Sequence, residues 1–480
     1  MKYPLKSGFI LSLFYPWLAS VLLQAAPISS YLIAWLGSFF IFYQTWFSKD
    51  SFVLMDLPKE KQIMRPLFLQ QAIFAGFMCC TSIFYFIDAM GYKYFDQVAK
   101  MDLIQINEGL ELVAKCQRFS VLGHAALVTG ILLGQKKTLG KGIDYVPIKI
   151  ISIDNWIIRI GIISFIISFI LEKAPGFFQF SLGFYNVTIF CGAVTFVKGI
   201  RNKHFVMLGW GGFIFIVNLA IASLSGYKEP LIVNFIILFC LLYPHYKREV
   251  SLIAVPFFAL LFYFAPTYAI VIRKQAWSGE TTAENARQEA VETILDEENT
   301  LEETNWTFLT GRLSEIGMFT QFVKTTPETV PYYHLDIITN AIISIVPRAL
   351  WKEKPITEEV AMQRVYDAGV IDNRSVVSAK ARPIVDAYLS GGIIGVIIYM
   401  FSFGYLSQSL CNKAERLFGG YETGGIIFFN GFFQTVWRGE TTEFMANTIF
   451  WAFIAMIIFW LGLRLTNYIE KANPLDYTKI

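Results

Sequence analysis

Charge and histidine are scarce in this sequence. Asp, Glu, Lys and Arg account for 16% of 480 residues, where soluble domains carry about 25%. That shortage argues against a soluble protein, and no nucleic-acid partner is expected. Only four histidines occur. His124 sits inside an apolar run, where packing is its ordinary role, and His204 and His245 fall in short basic loops. His334 alone stands in a long polar segment. The six cysteines, Cys79, Cys80, Cys116, Cys191, Cys240 and Cys411, lie mostly within apolar runs and lack metal-ligand spacing. They read as small buried apolar residues, not as a disulfide framework. No internal repeat of fixed period is present, and no low-complexity tract beyond an enrichment in phenylalanine. The N-terminus is basic and then apolar without a convincing small-residue cleavage signature, so it reads as a first membrane helix.

What the sequence has instead is long apolar runs. Hydrophobic residues reach 55%, and many runs are about 17–22 residues long, enough to cross a hydrocarbon core of about 30 Å. They predict an all-α, polytopic transmembrane bundle of about twelve helices. The expected spans cover residues 9–24, 31–47, 66–89, 116–134, 156–171, 177–197, 205–224, 231–243, 252–272, 384–406, 424–437 and 446–463. Those at 231–243 and 424–437 are short for a crossing. Basic residues mark alternate loops: Lys2 and Lys6, then Lys49 to Arg65, Lys136 to Lys149, Lys198 to Lys203, Lys247 and Arg248, Lys413 and Arg416, and finally Arg464 and Lys471. By the excess of lysine and arginine on the cytoplasmic side, both termini are expected in the cytoplasm. Three segments follow: a bundle of about nine helices over 1–272, a large outer loop over 273–383, and about three helices over 384–480.

An outer loop of that length is uncommon unless it folds or works. Residues 280–303 hold nine acidic side chains against the single basic Arg287 and read as a solvated acidic arm. Over 306–324, Phe308, Leu309, Leu313, Ile316, Phe319 and Val323 recur at helical spacing, which predicts an amphipathic helix at the membrane surface. Arg312 and Glu315 lie three apart and are expected on one face of it. Residues 335–346 are apolar but too short to span. They run into Pro347, Arg348, Trp351, Lys352 and Lys354, the pattern of a re-entrant or interfacial element with tryptophan at headgroup depth. Its cations are expected to meet lipid phosphate or pyrophosphate, with ordinary anchoring to anionic headgroups as the plainer reading. Arg382 precedes the tenth helix and Asp386 falls in its first turn, where an ionisable group is a functional candidate or a partner of the helix dipole. Gly391 and Gly392 are expected to permit close helix packing.

Two further outer turns are charged: Lys228 with Glu229, and Arg438 with Glu440. Cations gathered on the outer side run against the positive-inside trend and call for an anionic partner. A lipid pyrophosphate fits, because guanidinium forks match phosphate oxygens and preorganised cations stabilise a leaving group that gains charge. A base for an acceptor hydroxyl is then sought among Asp386, Glu315 and His334. No outer loop carries D-x-D or E-x-D, so neither a metal nor another cofactor is expected.

The turn at 225–230, the run Ile345-Val346-Pro347-Arg348-Ala349-Leu350-Trp351-Lys352-Glu353-Lys354-Pro355 and the helix start at 386–395 give the chain a resemblance to the O-antigen polymerase, or oligosaccharide repeat unit polymerase, family of Wzy type. The plan of many helices with a dominant late outer loop is similar along the whole chain. Relatives usually carry glutamate where Asp386 stands. The resemblance implies a GT-C-like glycosyltransferase of the bacterial inner membrane that polymerises undecaprenyl-pyrophosphate-linked oligosaccharides on the periplasmic face. A chain-length regulator and a flippase would be its partners besides the bilayer. Lys228, Glu229, Arg312, Arg348, Lys352, Lys354, Arg382, Arg438 and Glu440 would bind substrate. A ligase acting on finished glycan, or a flippase for the same lipid-linked sugars, are the competing readings.

Overall fold

The computed structural model describes residues 7–48, 53–54, 56–92, 103–136, 142–174, 177–224, 228–260, 263, 305–348, 350–372 and 379–472. These are mostly helical. The helices that matter below are α1 (Tyr15–Leu22), α2 (Pro27–Phe42), α3 (Leu69–Ala89), α4 (Leu103–Lys136), α5 (Ile153–Lys173), α6 (Phe178–Asn202), α7 (Phe205–Leu224) and α8 (Lys228–Leu242). They continue with α9 (Ile316–Thr325), α10 (Asp336–Ile345), α11 (Thr357–Asp367), α12 (Pro383–Leu417) and α13 (Thr442–Leu465). Two short strands, β1 (Tyr145–Pro147) and β2 (Ile469–Lys471), pair antiparallel. Proline starts α2 and α12, where a fixed φ is helical and the missing N–H would lack an intrahelical partner anyway.

Among the described residues, seven helices are long and apolar enough to cross a membrane: α3 to α7, α12 and α13. They coincide with seven of the expected spans, so the chain is a helical membrane protein. The first expected span is a shorter apolar helix, Gly8–Leu22, and the eighth is Leu231–Leu242. The second is α2 running on into a wider π turn, Tyr43–Phe47. The ninth, 252–272, is described only to residue 260 and at 263. The eleventh is not one α-helix: a π-wound stretch, Tyr421–Phe429, gives way to the short turns Asn430–Phe432 and Gln434–Arg438. Gly424 in that stretch lies against the Ala414 carbonyl and the Glu415 Cα so closely that no side chain would fit. The acidic arm at 280–303 and residues 225–227 of the charged turn lie outside the described residues.

The chain gathers into two compact units that cut across the three expected segments. One comprises Met1–Ile150, Ile167–Phe184 and Leu313–Ile480. Its centre is α4, whose most apolar window is 94% buried, against 28% for α3 and for α13. Glycine makes that centrality possible. Gly130 of α4 faces the Phe401 carbonyl and Gly404 of α12 faces the Leu127 carbonyl, each with no room for a Cβ, so the two helices meet backbone to backbone. Close packing was expected instead at Gly391 and Gly392. There α12 departs from helical geometry, and Gly392 takes φ 59° and ψ −132°. Several polar groups sealed between the helices of this unit find one another, which offsets the cost of removing them from water. Gln71 Oε1 accepts from Thr45 Oγ1 at 3.0 Å and lies 3.1 Å from His124 Nε2, while Ser407 Oγ donates to Gln70 Oε1 at 2.5 Å.

One end of this unit is tied by its basic loops. β1 pairs with β2, Arg416 reaches Asp144 at 2.7 Å, and Arg65 binds Asp56 and Glu415 at 2.6 and 2.8 Å. Four of the basic loops, at 56–65, 144–147, 415–416 and 469–471, thus meet at a common end of this unit. The second unit, Ile151–Ile166 and Tyr185–Arg312, is held by a chain from Tyr185 to Asn218 to Asn234. An ion pair from Lys198 to Asp154 at 2.9 Å adds to it, as does a cluster of Phe235, Phe239, Phe257 and Phe258.

Candidate functional site

At the end opposite to β1 and β2, α12 and α13 begin side by side, each with an acid in its first turn: Asp386 and Glu443. The unpaired N–H groups of a helix start favour negative charge. Here the start of α12 caps the start of α13 across the gap. Asp386 Oδ2 accepts from the Thr442 amide at 2.8 Å and from Thr442 Oγ1 at 2.7 Å. Arg364, on α11, closes the pair. Its Nη1 and Nη2 donate to the two Glu443 oxygens at 2.6 and 2.9 Å, and Nη2 lies 3.1 Å from Asp386 Oδ1. Asp386, Glu443 and Arg364 are 0%, 1% and 3% exposed, so two carboxylates and one guanidinium are sealed together. Burial opposes the arginine's charge, but Asp386 and Glu443 outweigh it and hold the guanidinium above its ordinary range.

Beside this node a small half-open cleft of about 30 Å³ lies between α3, α4, α12 and the Gln434–Arg438 turn with Gly439. Arg382 and Arg438 line it together with Trp437, and its walls include Ile73, Phe74, Phe77 and Phe403. Arg382 is held from three sides. It donates to Glu315 Oε1 at 3.1 Å and to the Gly439 carbonyl at 3.1 Å, and its guanidinium lies 5.0 Å above the Phe77 ring. Arg438 donates to Gln434 Oε1 at 3.3 Å. Trp437 is 4% exposed and its Nε1 has no hydrogen-bond partner, an unmet donor in the cleft wall. Close by in sequence, Lys380 pairs with Glu440 at 3.1 Å. Two cations and an unmet N–H set into aromatic and aliphatic walls can take a ligand with an anionic head and a hydrocarbon body.

The expected residues are therefore divided. Arg382 and Arg438 line the cleft and Glu315 joins them through its bond to Arg382, whereas Glu440 pairs with Lys380 and does not line it. Asp386 is close in sequence but buried, with Thr442 and Arg364 on its oxygens, and it does not line the cleft. Arg312 and Glu315 do not share a helical face. The helix breaks at Ser314 and Glu315, so the periodicity that joined them is interrupted; the Arg312 side chain is not among those described. Lys354 does not face a ligand either. Buried at 8% exposure, it donates to the Ser344 and Val346 carbonyls at 2.7 and 2.9 Å and caps the end of α10. Burial, with Arg348 nearby, pushes its ammonium down. Arg348 and Lys352 are exposed and do not line the cleft. His334 is exposed in a left-handed turn at φ 44° and does not line the cleft. Lys228 and Glu229 fall in the first turn of α8, their side chains outside those described.

Sequence reasoning missed Arg364 and Glu443. Glu443 carried the same signal as Asp386, an acid in the first turn of a membrane span. Arg364 carried none, because its partners lie 79 residues away at Glu443 and beyond the undescribed 373–378 at Asp386. No curated protein and no solved structure matches the chain. Residues 15–471 match the family described as Domain of unknown function (DUF8712), so nearly the whole chain is that domain and the protein belongs to this family.

Proposed function

We propose that this protein is a polysaccharide polymerase of about twelve membrane helices, with both termini in the cytoplasm of a bacterium and the Arg382–Arg438 cleft on the periplasmic side. Its substrates are undecaprenyl-pyrophosphate-linked oligosaccharide repeats. The observation that carries the reading is the pairing, in one cleft, of two guanidiniums with aromatic and aliphatic walls. A polyprenyl pyrophosphate has that same division between head and tail.

In this reading the growing glycan, linked through its anomeric carbon to pyrophosphate, lies with its phosphates against Arg382 and Arg438 and its prenyl chain along Phe74, Phe77 and Phe403. Glu315 takes the proton from a hydroxyl of the incoming repeat. The hydroxyl oxygen bonds to the anomeric carbon as the bond from that carbon to the pyrophosphate oxygen breaks. The leaving pyrophosphate gains negative charge, and the two arginines stabilise it there more than in the ground state. Asp386, Glu443 and Arg364 hold the starts of α12 and α13 in register, which fixes Arg382 opposite Gly439. The test is purified protein in lipid nanodiscs, given lipid-linked repeats with and without a chelator. The expected result is polymer in both. Repeats that stay single under every condition would end the polymerase reading, and transfer only to a different acceptor would favour a ligase.

A further inference from the structure

α10 is apolar on two sides. Ile337, Ala341 and Ser344 are buried, and the C-terminal end of the helix is fastened to α13: Ser344 Oγ donates to the Glu443 carbonyl at 2.8 Å, and Trp451 Nε1 donates to the Ile345 carbonyl at 2.9 Å. The other side is bare. Leu335, Ile338 and Ile342, spaced by three and four residues along one stripe, are 70%, 45% and 63% exposed. Past Pro347 the chain turns back, held by Lys354 on the end of α10. The turn puts Leu350 and Trp351 outermost, 82% and 41% exposed, with Arg348 and Lys352 exposed beside them and Glu353 as the one exposed acid of the turn.

The attachment to α13 sets the depth of this surface. Residues 443 to 451 are the first turns of a membrane span, and the headgroup layer is only about 5–7 Å thick on each side of the hydrocarbon core. An apolar stripe at that level, ending in leucine and tryptophan and flanked by an arginine and a lysine, matches the boundary where acyl chains meet phosphate. We propose that α10 and the turn after it form an interfacial foot that docks on anionic phospholipid, with Leu350 and Trp351 inserted and Arg348 and Lys352 on the phosphates. The occupant is the bilayer itself, argued from charge complementarity and depth. It needs no lipid-linked sugar and stands apart from the chemistry of the cleft.

The experiment places a photoreactive benzoylphenylalanine at Leu350 or at Ile342, with exposed Gln363 as a control, in nanodiscs of equal phosphatidylglycerol and phosphatidylcholine. Adducts are identified by mass spectrometry. Lipid adducts are expected at Leu350 and Ile342 but not at Gln363, with phosphatidylglycerol enriched roughly fivefold or more, as about 1 kcal/mol per cation near the surface implies. Arg348→Ala with Lys352→Ala should bring the two lipids to parity while adducts persist. Adducts only to a second copy of the chain, no lipid adducts at Leu350, or equal capture of both lipids by the unaltered turn would each overturn the proposal.

Discussion

Two buried arginines close the two ends of the larger unit, and they are built differently. At the end with β1 and β2, Arg65 uses Nε, Nη1 and Nη2 to bind Asp56, Glu415 and Gln62, all at 2.6–2.8 Å, and lies 4.9 Å from the Tyr421 ring. Its carboxylate partners are 46% and 16% exposed. Water can therefore reach them, and burial of the arginine is outweighed by Glu415 and Asp56, which raise its pKa. At the opposite end, Arg364 meets carboxylates that are 0% and 1% exposed, and its own Nε is without a partner. The first arrangement is a finished tie between loops. The second is a sealed, under-satisfied node beside a cleft, and buried polar groups left incomplete concentrate where function constrains them.

The largest expected effect comes from breaking the sealed node. Arg364→Ala would leave Asp386 and Glu443 buried without a counter-charge and should cost about 3–5 kcal/mol, read as a large loss of folded protein and a lower Tm in detergent. A Tm within a degree or two of the unaltered protein would show that water already reaches the node. Next, Arg382→Ala should leave the Tm nearly in place while lowering polymer formation by about 10²–10³-fold, the usual consequence of losing one preorganised donor to a developing anion. Unchanged chain length at equal protein level would separate the cleft from the chemistry.

The open node should be more forgiving. Arg65→Ala is expected to cost about 1–3 kcal/mol, because Asp56 and Glu415 can regain water, with no effect on polymer length beyond that of protein amount. Asp56→Asn should be the smallest change, under about 1 kcal/mol, since Glu415 still holds Nε and Nη2 and Gln62 still holds Nη1. If the Arg65 variants proved as damaging as Arg364→Ala, the contrast between the ends would vanish.

The comparison also explains what was legible beforehand. Apolar runs and alternating basic loops follow from the bilayer as solvent, so they can be read locally, and α3 to α7, α12 and α13 lie where those runs predicted. Four of the basic loops, at 56–65, 144–147, 415–416 and 469–471, meet at one end of the larger unit. Arg382, Arg438 and Glu315 were within reach of sequence reasoning because each stands beside a span or an apolar face. Arg364 was not. Its helix, Thr357–Asp367, reads as an ordinary polar surface helix, and only the folded chain sets its guanidinium against two helix starts. The cations of 348–354 were over-weighted for the converse reason. Their density in sequence suggested one ligand, but the fold uses Lys354 as a cap and leaves Arg348 and Lys352 outside the cleft.

The central claim, that the cleft of Arg382 and Arg438 holds a polyprenyl pyrophosphate, is tested most directly by photolabelling. Purified protein in nanodiscs would be irradiated with a photoreactive polyprenyl pyrophosphate and the adducts mapped by mass spectrometry. The account predicts adducts on Phe74, Phe77 or Phe403, reduced by competing undecaprenyl pyrophosphate and lost in Arg382→Ala. Labelling spread over lipid-facing residues of α7 and α13 and insensitive to competitor or to Arg382 would contradict it.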